Sequence, residues 1–254
     1  MVALGKVRLL LTSSICWCLS LTPPAMAGDC GFILSQKSGV CGDAEIYASS
    51  KGLKLVQKGT NCVLVMRAPD WKVNFYNTYS KVHYETDAKN FQGKSSGFLA
   101  GLISASRFLA LSQGKTKPNA TSVAGLNCSE TRLERIGDIP AYTIRNKNEL
   151  KAATYYGTRD LALPQSAVLV LQRFYRIPTL TGFPAKVDIF DLKGRVKNEL
   201  DTCSCVKSVL ASSTFNIPTG YAKVTSEESV VASHQQGLLQ DMSDDLGVNF
   251  GSHK

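Results

Sequence analysis

From Asp43 to Glu85 polar and apolar positions come in short β-type runs: Glu45–Ala48, Leu53–Gln57, Asn61–Met66, Lys72–Tyr76 and Lys81–Glu85. Gly, Asn, Ser, Asp or Pro separates each run from the next, which predicts an antiparallel meander. Within Lys72-Val-Asn-Phe-Tyr76, Val73 and Phe75 fall on one face and Lys72 and Asn74 on the other, so one face meets a core. Cys62-Val-Leu-Val-Met66 is apolar on both faces and reads as a central strand covered on both sides. The period then changes. Phe98, Leu99, Leu102, Ile103, Ser106 and Leu109 recur at helical intervals and predict a helix over Ser95–Ser112, capped by Ser95 or Ser96. The polar stretch Gln113–Thr121, with Lys115, Lys117 and Pro118, predicts an exposed loop.

Strand-like sequence resumes at Ser122–Leu133, Ala141–Asn146 and Lys151–Thr158. A second helix is predicted from Pro164 through Val168, Leu169, Leu171, Gln172 and Tyr175, because proline suits a first helical turn and Pro178 lies just beyond. The clearest hairpin follows: Ala185–Phe190 alternates, Asp191-Leu-Lys-Gly194 turns, and Arg195–Lys207 runs back. Strict alternation would put Val196, Leu200 and Val206 on one face of the return strand. Arg195, Lys197, Glu199, Asp201, Cys203, Cys205 and Lys207 would share the other. Thr225-Ser-Glu-Glu228 fits a capping box and opens a C-terminal helix from about residue 226 toward Leu239. Antiparallel strands broken by two or three helices, without an internal repeat, predict one α+β domain over residues 28–254.

The first residues read differently. Lys6 and Arg8 precede an apolar run, Leu9 to about Leu21, then two prolines and the small-x-small triplet Ala25-Met26-Ala27. This is the anatomy of a secretory signal spanning residues 1–27, cleaved after about Ala27, and it predicts a periplasmic or extracellular protein. Cys16, Cys18 and Cys30 follow Ile15, Trp17 and Asp29, which disfavours lipoprotein processing. No apolar run reaches the length of a spanning helix, which argues against an integral multi-span membrane protein.

Composition sharpens the class. With 44% hydrophobic and 19% charged residues the chain is too apolar for disorder. Loss of Lys6 and Arg8 with the leader lowers the formal charge from +9 to +7. The basic residues are scattered among acidic ones rather than clustered with aromatics, so no nucleic-acid partner is predicted. Weak attraction to anionic lipid headgroups follows from the same charge. Six cysteines remain after the leader: Cys30, Cys41, Cys62, Cys128, Cys203 and Cys205. In an oxidising compartment they predict three disulfides, with a local Cys30–Cys41 pair and otherwise open connectivity. The Cys203-Ser-Cys205 spacing is short for zinc and none of His83, His234 or His253 is close in sequence, so neither metal nor cofactor is predicted. Asn119-Ala-Thr121 and Asn127-Cys-Ser129 match the glycosylation acceptor pattern.

Catalytic signatures are missing. The sequence contains no Gly-x-Ser-x-Gly, no phosphate-binding Gly-x-x-x-x-Gly-Lys-Ser/Thr and no His-Glu-x-x-His. His83 reads as a satisfied or solvent-facing histidine, and the adjacent pairs Glu227–Glu228 and Asp244–Asp245 point different ways on a helix. The expectation is a protein that is not an enzyme.

The order Gly182-Phe-Pro-Ala-Lys-Val-Asp-Ile-Phe-Asp-Leu-Lys-Gly-Arg195, then Asp201-Thr-Cys-Ser-Cys-Val-Lys207, then Phe215-Asn-Ile-Pro-Thr-Gly-Tyr221 resembles the C-terminal half of lipoprotein-localisation carriers and related secreted domains. Val63-Leu-Val-Met-Arg-Ala-Pro-Asp-Trp71 is similar to their early strands, so the likeness covers about Glu45–Val224. Six mature cysteines and long central insertions depart from the simple carrier. The resemblance implies a curved antiparallel half-barrel sheet with two or three helices on its concave face. It implies a hydrophobic ligand, a lipid or the acyl chain of a lipoprotein, held between sheet and helices. The residues placed there are Val73, Phe75, Phe98, Leu102, Phe174, Val187 and Ile189. The alternative is a disulfide-stabilised envelope interaction protein with a filled core and a protein partner.

Overall fold

A computed structural model describes residues 28–94, 107–137 and 149–232. The leader, Phe98, Leu102, the strand expected at Ala141–Asn146 and most of the helix expected at Ser95–Ser112 lie outside these residues. Twelve strands form one sheet: β1 (Gly28–Ser38), β2 (Gly42–Ser49), β3 (Gly52–Gln57), β4 (Cys62–Arg67), β5 (Val73–Asn77), β6 (Val82–Thr86), β7 (Leu111–Val123), β8 (Leu126–Arg135), β9 (Leu150–Thr158), β10 (Phe183–Asp191), β11 (Val196–Ala211) and β12 (Ala222–Lys223). The spatial order is β12-β6-β5-β4-β3-β2-β1-β11-β10-β9-β8-β7. Two antiparallel meanders, β1–β6 and β7–β11, are thus joined edge to edge where β1 pairs with β11. The two-residue β12 adds the one parallel pairing among them, to β6.

This corrects the expected fold class. A single open twelve-stranded sheet replaces the curved sheet carrying two or three packed helices, and the described residues hold two short helices. These are α1 (Gln165–Tyr175) and α2, described over residues 227–232. Two segments account for the change. Gly28–Ser38, whose Gly and Ser content hides its strand character, becomes the eleven-residue β1 that fuses the meanders. Gln113–Thr121, expected as a loop, lies within β7 and pairs with β8 through backbone bonds that do not require apolar side chains. β7 closes one edge of the sheet, and Lys115, Lys117, Pro118 and two breaks in register suit an edge that resists further pairing. Of the helix expected to reach Ser112, Arg107 is helical, but the chain turns at Phe108 and enters β7 at Leu111.

The main core lies on one face of the sheet. Leu34, Ile46, Leu55, Leu64, Phe75, Val187 and Leu200 point into it, and α1 covers it with Ala167, Val170, Leu171 and Phe174. Gln172 is the buried polar anchor of that helix: its Nε2 donates to Tyr155 Oη at 2.7 Å and to the Leu180 carbonyl at 2.7 Å, while Tyr155 donates to the Gly182 carbonyl. Burial pushes the Tyr155 hydroxyl well above its ordinary value, so it remains a donor at any physiological pH. At the helix end, Arg173 Nη1 donates to the carbonyls of Ala88, Lys89 and Phe91. Gly93 comes so close that a Cβ there would stand 2.1 Å from the Arg173 carbonyl oxygen, and its φ of +69° independently requires glycine.

α2 begins one residue later than the capping box suggests, because Ser226 rather than Thr225 accepts the Ser229 N–H. Glu227, buried, accepts the backbone N–H groups of Gln92 at 2.6 Å and Lys94 at 2.8 Å, and Glu228 pairs with Lys94 Nζ at 2.7 Å. The two adjacent carboxylates do diverge.

Two bulges decide the faces of β11. Val187 pairs with Leu200 and Asp188 with Asn198, which leaves Glu199 as the extra residue. Ser35 pairs with Ser204 and Gln36 with Thr202, which leaves Cys203 as another. A one-residue bulge exchanges the faces beyond it. Leu200 therefore faces the core, whereas Val206, opposite Ile33, faces the other side; Cys205, opposite Leu34, packs against the main core. The expected shared face of Leu200 and Val206 is corrected accordingly.

The disulfide expectation is corrected as well. Cys30, Cys41, Cys62, Cys128, Cys203 and Cys205 all stand as free thiols. Cys30 lies near one end of β1, opposite Val209, and Cys41 lies in the turn beyond the other end. At about 3.3 Å per residue the two are roughly 25 Å apart, against about 7 Å for a bridgeable pair.

Candidate functional site

The residues expected to line a ligand cleft are core. Val73, Phe75, Phe174 and Val187 are fully inaccessible and Ile189 is 5% exposed. They come together in one buried cluster with α1 against the sheet. Period-two and helical patterning correctly marks inward-facing positions; it carries no information about whether the inside is full.

Ile189 is the one that also reaches a cavity. At the end of the sheet where β9 starts, β10 ends and β11 begins, a space of about 380 Å³ is lined by Arg107, Leu150, Ile189, Asp191, Arg195, Val196 and Lys197. Its size falls within the range of small-ligand pockets. Leu150, Ile189 and the aliphatic Val196, which is 59% exposed, supply an apolar wall. Arg107, Arg195 and Lys197 supply the positive charge of the lining.

One of the lining cations, Arg107, is held by a buried ion pair. Arg107 Nη2 lies 2.7 Å from Glu199 Oε1, with side-chain exposures of 14% and 2%. Glu199 turns inward because it is the bulge residue, and its carbonyl is fixed by the Gly39 N–H at 2.8 Å. Glu199 Oε2 is buried without a hydrogen-bond partner among the described residues. A buried carboxylate oxygen left unmatched is costly.

The outer rim is the hairpin turn. Asp191 Oδ1 accepts the N–H groups of Lys193 at 2.9 Å and Arg195 at 2.8 Å, and Oδ2 accepts Arg195 Nε at 2.6 Å. Desolvation alone would raise the Asp191 carboxyl, but the hydrogen bonds and charge of Arg195, with the Lys193 amide, hold it below the ordinary value. Arg195 is thereby oriented but largely neutralised, and Lys197 contributes the more available positive charge.

Among the described residues no catalytic constellation accompanies this cavity. His83 lies in β6, and its Nε2 sits 3.0 Å from Asn74 Oδ1; burial is the main cause holding its pKa below the ordinary value. Among the described residues no group of three or more His, Cys, Asp or Glu could hold a metal. No helix among them is long and apolar enough to cross a membrane. Sequence reasoning missed Arg107 and Glu199, and the sole signal available was a charged residue, Glu199, within an otherwise alternating strand.

No protein-family model matches the chain, and no curated protein does. Among solved structures it is similar to an uncharacterized conserved protein from Thermus thermophilus, at 10% identity over 76% of this chain and 89% of the other, TM-score 0.40. It is similar to MucB at 12% identity over 78% of this chain and 60% of that one, TM-score 0.37. A putative outer membrane lipoprotein-sorting protein domain from Vibrio parahaemolyticus aligns at 10% identity over 71% of this chain and 84% of the domain, TM-score 0.23. At these scores the fold of this chain is read from its own strand order.

Proposed function

We propose that the chain is an exported, noncatalytic binding protein for an amphipathic ligand, a lipid or the acyl chain of a lipoprotein, held at the rim of the sheet. The observation that carries this reading is the cavity of about 380 Å³ in which Leu150, Ile189 and Val196 face Arg107, Arg195 and Lys197. An acyl segment would lie on the apolar wall, with a polar or anionic head at the cations. The site thus moves from the filled space under α1 to the end of β9–β11, and Ile189 is the residue common to both. No cofactor is invoked.

The test is native mass spectrometry of the protein exported through its own leader. A co-purifying lipid-sized mass is expected. It should fall severalfold in Val196→Asp and Lys197→Glu, whose exposed positions leave folding intact. An adduct unchanged by both substitutions, or no adduct on the wild-type protein, overturns the reading.

A second reading, an envelope interaction protein without a small ligand, is supported by the complete burial of Val73, Phe75, Phe174 and Val187. A clean protein mass together with capture of a defined envelope partner would make it the better account.

A further inference from the structure

A second cavity, also of about 380 Å³, lies at the opposite end of β11 and on the other face of the sheet. From Val196 to Leu210 the strand runs about 45 Å, so the two spaces are independent. Leu210 and Phe215, both members of the smaller cluster on this face, form its floor. Phe215 is placed by the short 3-10 turn Ser212–Phe215, and a Cβ at Gly52 would stand 2.6 Å from its ring, so the floor is rigidly set. Ala68 completes the apolar wall.

The polar lining is uneven in charge. Lys51 and Arg67 flank the opening on neighbouring strand ends, since Gly52 pairs with Arg67. Asp29 is the single acid. Its carboxylate accepts the Ser50 hydroxyl at 2.8 Å, and that bond, with the nearby Lys51, holds its pKa below the ordinary value. Asp29 is thus an anion engaged by Ser50 and Lys51. The Arg67 guanidinium has no ion pair or hydrogen bond from its side chain among the described residues. An unpaired arginine beside an apolar floor is a receptor for one negative charge attached to an apolar body. The planar fork of N–H donors matches the two oxygens of a carboxylate. Among the lining side chains, two cations against one anion leave the charge of a monoanion to be balanced.

We propose that this cavity binds an apolar carboxylate, with the carboxylate on Arg67, assisted by Lys51, and the hydrocarbon over Phe215, Leu210 and Ala68. The Ser212 hydroxyl is a further donor at the same opening.

Titration calorimetry of the purified protein with octanoate, and with octanol as the uncharged counterpart, tests this. In a Lys197→Glu background, which disables the rim site, octanoate is expected to bind once per chain, and octanol at least about tenfold more weakly. Arg67→Gln is expected to weaken octanoate about tenfold and Lys51→Gln about threefold, both with the melting temperature of the wild type. Asp29→Asn should tighten it about threefold, since it removes the opposing charge. Because Arg67, Lys51 and Asp29 are varied in the Lys197→Glu background, failure here and failure of the rim site are told apart. Wild-type protein that takes up no octanoate overturns the proposal. So does Arg67→Gln protein that binds it as tightly as wild type, or octanol that matches octanoate.

Discussion

Phe75→Ala separates a filled core from a ligand cleft. The Phe75 ring is fully inaccessible, sits between Leu64 of β4 and Tyr84 of β6, and meets Phe91 edge-on with centroids 6.3 Å apart at 74°. Removing a buried phenyl ring forfeits its transfer free energy and leaves a cavity that the surrounding sheet closes only in part, about 3–5 kcal/mol in all. The edge-to-face contact with Phe91 is part of what is lost. Set against a typical net stability of about 5–15 kcal/mol, the variant should still fold but unfold much earlier. With a urea slope of about 1–3 kcal/mol per molar, the midpoint should drop by about 2 M while the slope stays constant. Trp71, packed half-buried against the same core, reports the transition by fluorescence. Phe75→Asp should not fold, because no cation among the described residues faces that position to compensate a buried charge. If Phe75→Ala cost less than about 1 kcal/mol and its main consequence were loss of a bound lipid, the ring would be lining an open space and the core would not be filled.

Two further outcomes follow from buried titratable groups. Burial raises the pKa of Glu227 despite the two amides it accepts, so its contribution to stability is full below the unfolded value of about 4.3 and declines as pH rises through the higher folded value. The stability of wild type relative to Glu227→Gln, from chemical denaturation at a series of pH values, should therefore be greatest at the acid end; a difference flat across that window refutes it. Thiol labelling of the folded protein should modify the exposed Cys30 and Cys203 first. Cys41 and Cys128, pushed up by burial to about 12 and about 11, and the buried Cys62 should react only on unfolding. A native mass below the fully reduced value would show instead that the thiols pair.

The strands β2 to β6, β9 and β10, the hairpin at Asp191–Arg195 and α1 are all legible in the sequence, because each combines a clear period with turn residues at its ends. What escaped has physical reasons. β1 reads Gly-Asp-Cys-Gly at its start, and β7 is polar along nearly its whole length. β7 is held by backbone pairing, which leaves no apolar signature, and in β1 only the short run Phe32-Ile33-Leu34 is apolar. The face reversal along β11 comes from the bulges at Glu199 and Cys203, and alternation cannot reveal where a residue will be skipped. Of the candidate site, Ile189 was legible as an inward residue. Arg107, Glu199 and Lys197 were not, since they meet through a bulge and a segment distant in sequence. Cysteine parity, a sound guide to disulfides when the partners are adjacent, failed for Cys30 and Cys41 because an extended strand separates them.

A sheet whose inner face is filled can offer ligand space where its ladder is interrupted or overrun. β11 does both. It is the longest described strand, and it pairs with β10 only from Val196 to Asp201 but with β1 along most of its length. At its start, the Glu199 bulge draws a carboxylate inward to hold Arg107 and opens the cavity beside Ile189 and Val196. At its end, Leu210 overhangs the β3–β4 ribbon beside Phe215, and the second cavity forms between them and Arg67. Regular pairing at either place would close that space: restoring the alternation at Glu199 would carry its side chain to the opposite face and strand Arg107 without this counter-ion. Both proposed sites therefore lie at the irregularities of this one strand rather than in the apolar interior beneath α1.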